Sequence, residues 1–108
     1  MNLGEVLDVL ARHRGLGVDA ISEKLTWLVV GGLEVVAVDE RTGLLAGELH
    51  ARHYDRARRS VSMADCLALA TARLLDERLA TSDPPLAEIA RAEGCEVISL
   101  PDARGRRP

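Results

Sequence analysis

The sequence contains no phenylalanine, one tryptophan and one tyrosine. So few rings exclude a platform on which successive nucleic-acid bases stack. They also require a core of Leu, Val, Ile and Ala, a composition suited to helices packed on a buried parallel sheet. The sequence has no apolar run of the roughly 20 residues that span a bilayer, and no basic segment leading into an apolar signal core. We therefore expect a cytoplasmic chain with no membrane partner. The only cysteines, Cys66 and Cys95, lack CxxC spacing and a neighbouring histidine, so buried free thiols are expected rather than a zinc site. An excess of basic residues is missing too: the formal charge of -3 argues against coating nucleic acid by bulk attraction and leaves only local basic patches. The length of 108 residues suffices for one core.

Periodicity supplies the elements. Leu3, Val6, Leu7 and Leu10 form one helical stripe closed by Gly15 or Gly17, so the chain begins inside structure. Val18, Ile21, Leu25, Leu28 and Val29 predict a second helix, stopped by Gly31 and Gly32. The β-branched run Val35 to Val38 reads as a strand. From Arg41 to Arg58 the pattern is helical, with Leu45 and Leu49 inward and Arg and His outward. Ser62 to Leu75 is apolar nearly all round and predicts a buried central helix. A strand over Arg78 to Thr81, a helix over Pro84 to Glu93 and a strand over Glu96 to Leu100 follow, and then a basic tail, 102–108, expected to be unpacked. Helices alternating with short apolar strands predict a parallel sheet, although three strands fall short of the roughly five or six usual in such domains.

Carboxylates stand at the starts of the last two helices. Ser62-Met63-Ala64-Asp65 has capping-box spacing, and Asp83 before Pro84 fits an N-cap followed by proline at the first helical position. A cap and a ligand role are compatible, because the helix dipole favours negative charge there and a hard divalent cation needs a charged oxygen donor. The crevice beyond the carboxyl ends of parallel strands is also where ligands usually sit. Glu5 lies roughly 160° from the centre of its helix's apolar stripe and by itself reads as a solvated glutamate. His50 and His53, among Arg52, Arg56, Arg58 and Arg59, read as a solvated basic face that leads phosphates towards Asp65. Trp27 and Tyr54 read as packing residues.

Taken together, NLGEV, VSMAD and LATSDPPLAEIARAEGCEVISLP resemble the later part of a PIN domain, in particular the VapC-type toxin ribonucleases of bacterial toxin–antitoxin pairs. The resemblance covers nearly the whole chain and is most specific from Val61 to Pro101. It implies an α/β, PIN-like three-layer sandwich, with a partial domain over 1–101 and a short parallel sheet flanked by helices. The family's opening strand, which ends in the first of four acids, is not represented here. Glu5, Asp65 and Asp83 match the second, third and fourth acids, and the resemblance makes them the metal-binding, catalytic residues.

Three carboxylates sharing one cleft repel one another unless a cation binds, and Mg²⁺ or Mn²⁺ is the natural occupant of an all-oxygen site. The activity so implied is metal-dependent hydrolysis of an RNA phosphodiester, impaired by the absence of the first acid. Thr81 and Ser82 are in place to support a ligand. The implied partners are RNA, a VapB-type antitoxin protein and a second copy of the chain. The alternatives are a non-catalytic PIN remnant that binds protein, and an unrelated small α/β domain whose S-x-x-D and T-S-D-P are helix caps only.

Overall fold

The computed structural model describes residues 3–108. The expectation that the chain begins inside structure, and Asn2 of the NLGEV motif, lie outside the described residues. The chain divides into two compact units, Met1–Ala37 and Val38–Pro108.

In the first unit α1 (Leu3–Arg14) packs against α2 (Val18–Val30). Gly15, at φ +65°, closes α1, where a side chain would strain the backbone, and Leu16 N–H returns to the Leu10 carbonyl at 3.2 Å. Ile21 is buried, whereas Leu3, Leu7, Leu28 and Val29 of the expected stripes are exposed. Trp27 is 69% exposed and so is not the packing residue expected. Val35 to Val38 is not a strand: the run has no regular secondary structure and its side chains are exposed. β-Branched residues favour an extended backbone but make a strand only where a neighbour supplies the ladder, and none pairs here among the described residues.

The second unit opens with Asp39, whose carboxylate accepts from the amide and hydroxyl of Thr42, both at 2.8 Å, and starts α3 (Glu40–His53). α3 ends earlier than the expected Arg58. Tyr54 is extended, half exposed rather than packed, and followed by a tight turn in which Asp55 accepts from the amides of Ala57 and Arg58. α4 (Met63–Leu74) packs along α3. It buries Cys66, Leu69, Ala70 and Ala72 against Ala46, Leu49 and Val61, as its nearly all-apolar composition predicts. Complete burial of Leu49, Leu69 and Ile89 stabilises by about 1.5–3 kcal/mol for each side chain.

Leu75 to Arg78 turn the chain back into β1 (Leu79–Thr81). α5 (Pro84–Ala92) then crosses over to β2 (Val97–Ser99), which lies parallel to β1 with Leu79 opposite Val97 and Thr81 opposite Ser99. Gly94, at φ +77°, ends α5, and the amide of Cys95 reaches back to the Ala90 carbonyl at 2.8 Å. The fold is thus α/β, with five helices and a short parallel sheet of two strands among the described residues. Leu79 and Thr81 face the core beneath α4 and α5, while Ala80 and Ile98 are exposed on the other face. Cys66 and Cys95 are buried and free, as expected.

The tail is largely exposed, but hydrogen bonds tie it down. Pro108 O accepts from Ser99 Oγ at 2.9 Å, Arg107 Nη1 donates to the Ser99 carbonyl, and Asp102 ties a turn through Arg104 and Arg106. Ser99 at the end of β2 supplies both a hydroxyl and a carbonyl, partners that composition alone does not reveal.

Candidate active site

Ser62 Oγ accepts from the amide of Asp65 at 3.0 Å, and Asp65 Oδ2 accepts from the amide of Ser62 at 2.9 Å, so the capping box is complete. At the next helix, Asp83 Oδ2 accepts from the amide of Leu86 at 3.1 Å, and Pro84 follows at the first position. The amide of Asp83 donates to Oγ1 of buried Thr81 at 3.0 Å, which holds the corner between β1 and α5. Each aspartate therefore commits one oxygen to a cap, and the cap orients its carboxyl group. Among the described residues, Oδ1 of both has no hydrogen-bond donor and neither aspartate is ion-paired. By contrast, Asp8, Glu48, Glu93 and Asp102 each face an arginine.

Topology brings these two acids to one end of the second unit. Because the chain reverses between α4 and β1, the start of α4 and the carboxyl end of β1 lie at the same end, and α5 also starts there. Glu5 lies exposed in the first turn of α1, in the other unit. Within each unit, no three His, Cys, Asp or Glu side chains among the described residues gather closely enough to hold a metal ion.

Two open pockets border α5. One, of about 380 Å³, is lined by Arg58, Arg59 and Glu88. The other, of about 560 Å³, is lined by Ser82, Asp83, Pro84 and the tail residues Asp102, Arg106, Arg107 and Pro108. The tail side of this second pocket is not legible in the sequence. A run of arginines following a strand is its only signal, and that signal does not say where the run docks.

His53 is not part of a solvated basic face. It is 8% exposed, and its Nε2 lies 2.5 Å from Oε1 of Glu93. Arg52 reaches the same oxygen at 2.5 Å, and Arg73 Nη1 donates to Oε2 at 2.9 Å. Burial opposes charge on Glu93, but the hydrogen bonds and positive charges of His53 and Arg52 outweigh it and hold the carboxyl below its ordinary range. His50 stacks on Tyr54 with ring centroids 4.8 Å apart. Burial, and then the charge of Asp65, push the Cys66 thiol upward, which makes it a packing residue and not a nucleophile.

A short parallel sheet with capped acids beyond its carboxyl end defines an α/β protein of the kind that places its chemistry at that edge. The family model of the PIN domain matches residues 1–92, and the chain belongs to the PIN-domain family. A search of curated proteins and a search of solved structures each return no match. Membership carries a nuclease-like function, and PIN domains in general depend on divalent metal. The chemistry of the donors agrees, since carboxylate oxygens that are not ion-paired suit a hard divalent ion, although Arg106 and Arg107 line the same pocket as Asp83. No helix among the described residues is long and apolar enough to cross a membrane.

Proposed function

We propose that the chain is a metal-dependent endoribonuclease of VapC toxin type, with Asp65, Asp83 and Glu5 as its metal-binding acids and Mg²⁺ or Mn²⁺ as the cofactor. The observation that carries this reading is the uncommitted Oδ1 on each of two capped aspartates at the carboxyl end of the sheet. A bound divalent cation would supply Lewis-acid polarisation of an RNA phosphate and activation of water. The protein's part is to hold the ligands. The α4 cap orients Asp65, the α5 cap orients Asp83, and Thr81 fixes the loop that carries Asp83. The helix N-termini favour the negative charge that both roles need. The same reading makes a VapB-type antitoxin the protein partner and self-association the resting assembly.

The test is isothermal titration of Mn²⁺ into the monodisperse chain beside an Asp65→Asn/Asp83→Asn variant, followed by cleavage of single-stranded RNA. Saturable binding and cleavage, both lost in the variant, are expected. A folded chain that binds no Mn²⁺ would overturn the reading. The second reading, a non-catalytic remnant that binds protein, is favoured by one observation: within each unit no three candidate ligands gather among the described residues. It predicts a folded chain without metal binding.

A further inference from the structure

Past Leu100 the chain stays on the carboxyl end of the sheet. Asp102 builds a turn there: Oδ1 accepts from the amides of Arg104 at 2.8 Å and Arg106 at 2.9 Å, while its own amide donates to the Arg106 carbonyl at 2.7 Å. Oδ2 accepts from Arg106 Nε at 2.9 Å, and Gly105 supplies the φ of +79° that the turn requires. Beyond the turn, Arg107 Nη1 donates to the Ser99 carbonyl, and Pro108 O accepts from Ser99 Oγ and from Arg91 Nη2. Arg106 and Arg107 are thereby held on the wall of the pocket of about 560 Å³ that contains Asp83.

Each guanidinium is oriented by only part of its donor set. Arg106 spends Nε on Asp102 and keeps both Nη groups, while Arg107 spends Nη1 and keeps Nη2 and Nε. Forked donors whose orientation is already set suit anionic phosphate oxygens, and they lose less side-chain freedom on contact than free arginines do. The chain as a whole is acidic, so attraction of a polyanion to this edge must be local. The pocket has no aromatic lining, so contact there is with the phosphodiester backbone and not with stacked bases.

We propose that Arg106 and Arg107 form a backbone clamp that holds the phosphates of a single-stranded RNA beside Asp83. The assignment rests on the ribonuclease reading for the choice of RNA, but the clamp is tested by binding alone. Anisotropy of a short labelled single-stranded RNA is measured against the full chain in EDTA at several salt concentrations, for the wild type and for Arg106→Gln/Arg107→Gln. Loss of two phosphate contacts should lower the slope of log K against log salt by about 1.4. It should weaken binding roughly tenfold at low salt, irrespective of base sequence.

Arg104→Gln is the control, because Arg104 shares the turn but does not line the pocket; its slope should stay near that of the wild type. An unchanged slope in the double variant, an equal loss with Arg104→Gln, or a wild type that does not bind RNA each overturns the clamp. Thermal melts confirm that every variant is folded. Cleavage with Mn²⁺ is scored separately. Binding that the double variant loses, without cleavage by the wild type, would keep the clamp and remove the ribonuclease reading. Cleavage with unaltered binding in the double variant would do the reverse.

Discussion

His53 of α3 and Glu93 at the end of α5 meet with Nε2 and Oε1 2.5 Å apart, both side chains nearly withdrawn from solvent, at 10% and 9% exposure. With Arg52 and Arg73 on the same carboxylate, this contact ties α3, α4 and α5 together where the hydrophobic core reaches the surface. Removing the carboxylate leaves three donors facing one another. The arginines, 48% and 36% exposed, can turn towards water, whereas His53 cannot. Glu93→Gln should therefore cost about 2–3 kcal/mol, less than a fully buried pair because both arginines are partly exposed, measured by urea unfolding.

The same group sets an acid limit. Glu93 has a folded pKa below its unfolded value of about 4.3, so as pH falls the unfolded chain takes up the proton first. The stability contributed is complete above the unfolded value and is lost as pH falls through it towards the folded one. Asp39, through the Thr42 amide, and Asp102, through the Arg106 amide, are lowered as well and act in the same direction. The difference between wild type and Glu93→Gln isolates the share of Glu93. That difference should shrink as pH falls below about 5. A difference that grows as pH falls below about 5 would refute the assignment.

Asp83 has a cap role and a proposed ligand role, and different substitutions separate them. Asn keeps an oxygen for the Leu86 amide, so Asp83→Asn should unfold within about 0.5 kcal/mol of wild type while losing Mn²⁺ affinity. Asp83→Ala should lose both, with a further cost of about 1 kcal/mol. Equal metal affinity in wild type and Asp83→Asn would remove Asp83 from the site.

The thiols should report unfolding. Cys66 is fully buried with its thiol pushed upward, and Cys95 is 9% exposed. Reaction of the native chain with an aromatic disulfide reagent should be slow and should follow the opening of α4. Leu69→Ala, which empties a fully buried site at a cost of about 2–5 kcal/mol, should accelerate it strongly. Rapid labelling of the native wild type would contradict the packing described for Cys66.

What could be read from the residues was local. Ser62 with Asp65, and Asp83 with Pro84, announce their caps because a cap is satisfied within one turn of the chain. Gly15 and Gly94 end helices for an equally local reason. Val35 to Val38 misled because a strand needs a partner that no local pattern specifies. The end of α3 at His53 depends on the turn that Asp55 builds, which competes with continued helix.

By itself, then, the sequence determined the order of helices, both β segments, the two capped acids and the buried thiols. These follow from periodicity, caps and hydrophobicity, which act over one or two turns. The tertiary structure alone decided that His53 is buried against Glu93 forty residues away, and that Ser99 draws the arginine tail onto the edge beside Asp83. Charged and polar side chains have many equivalent partners in a sequence. Which of them pair is settled only when packing of the apolar core has fixed which elements are neighbours.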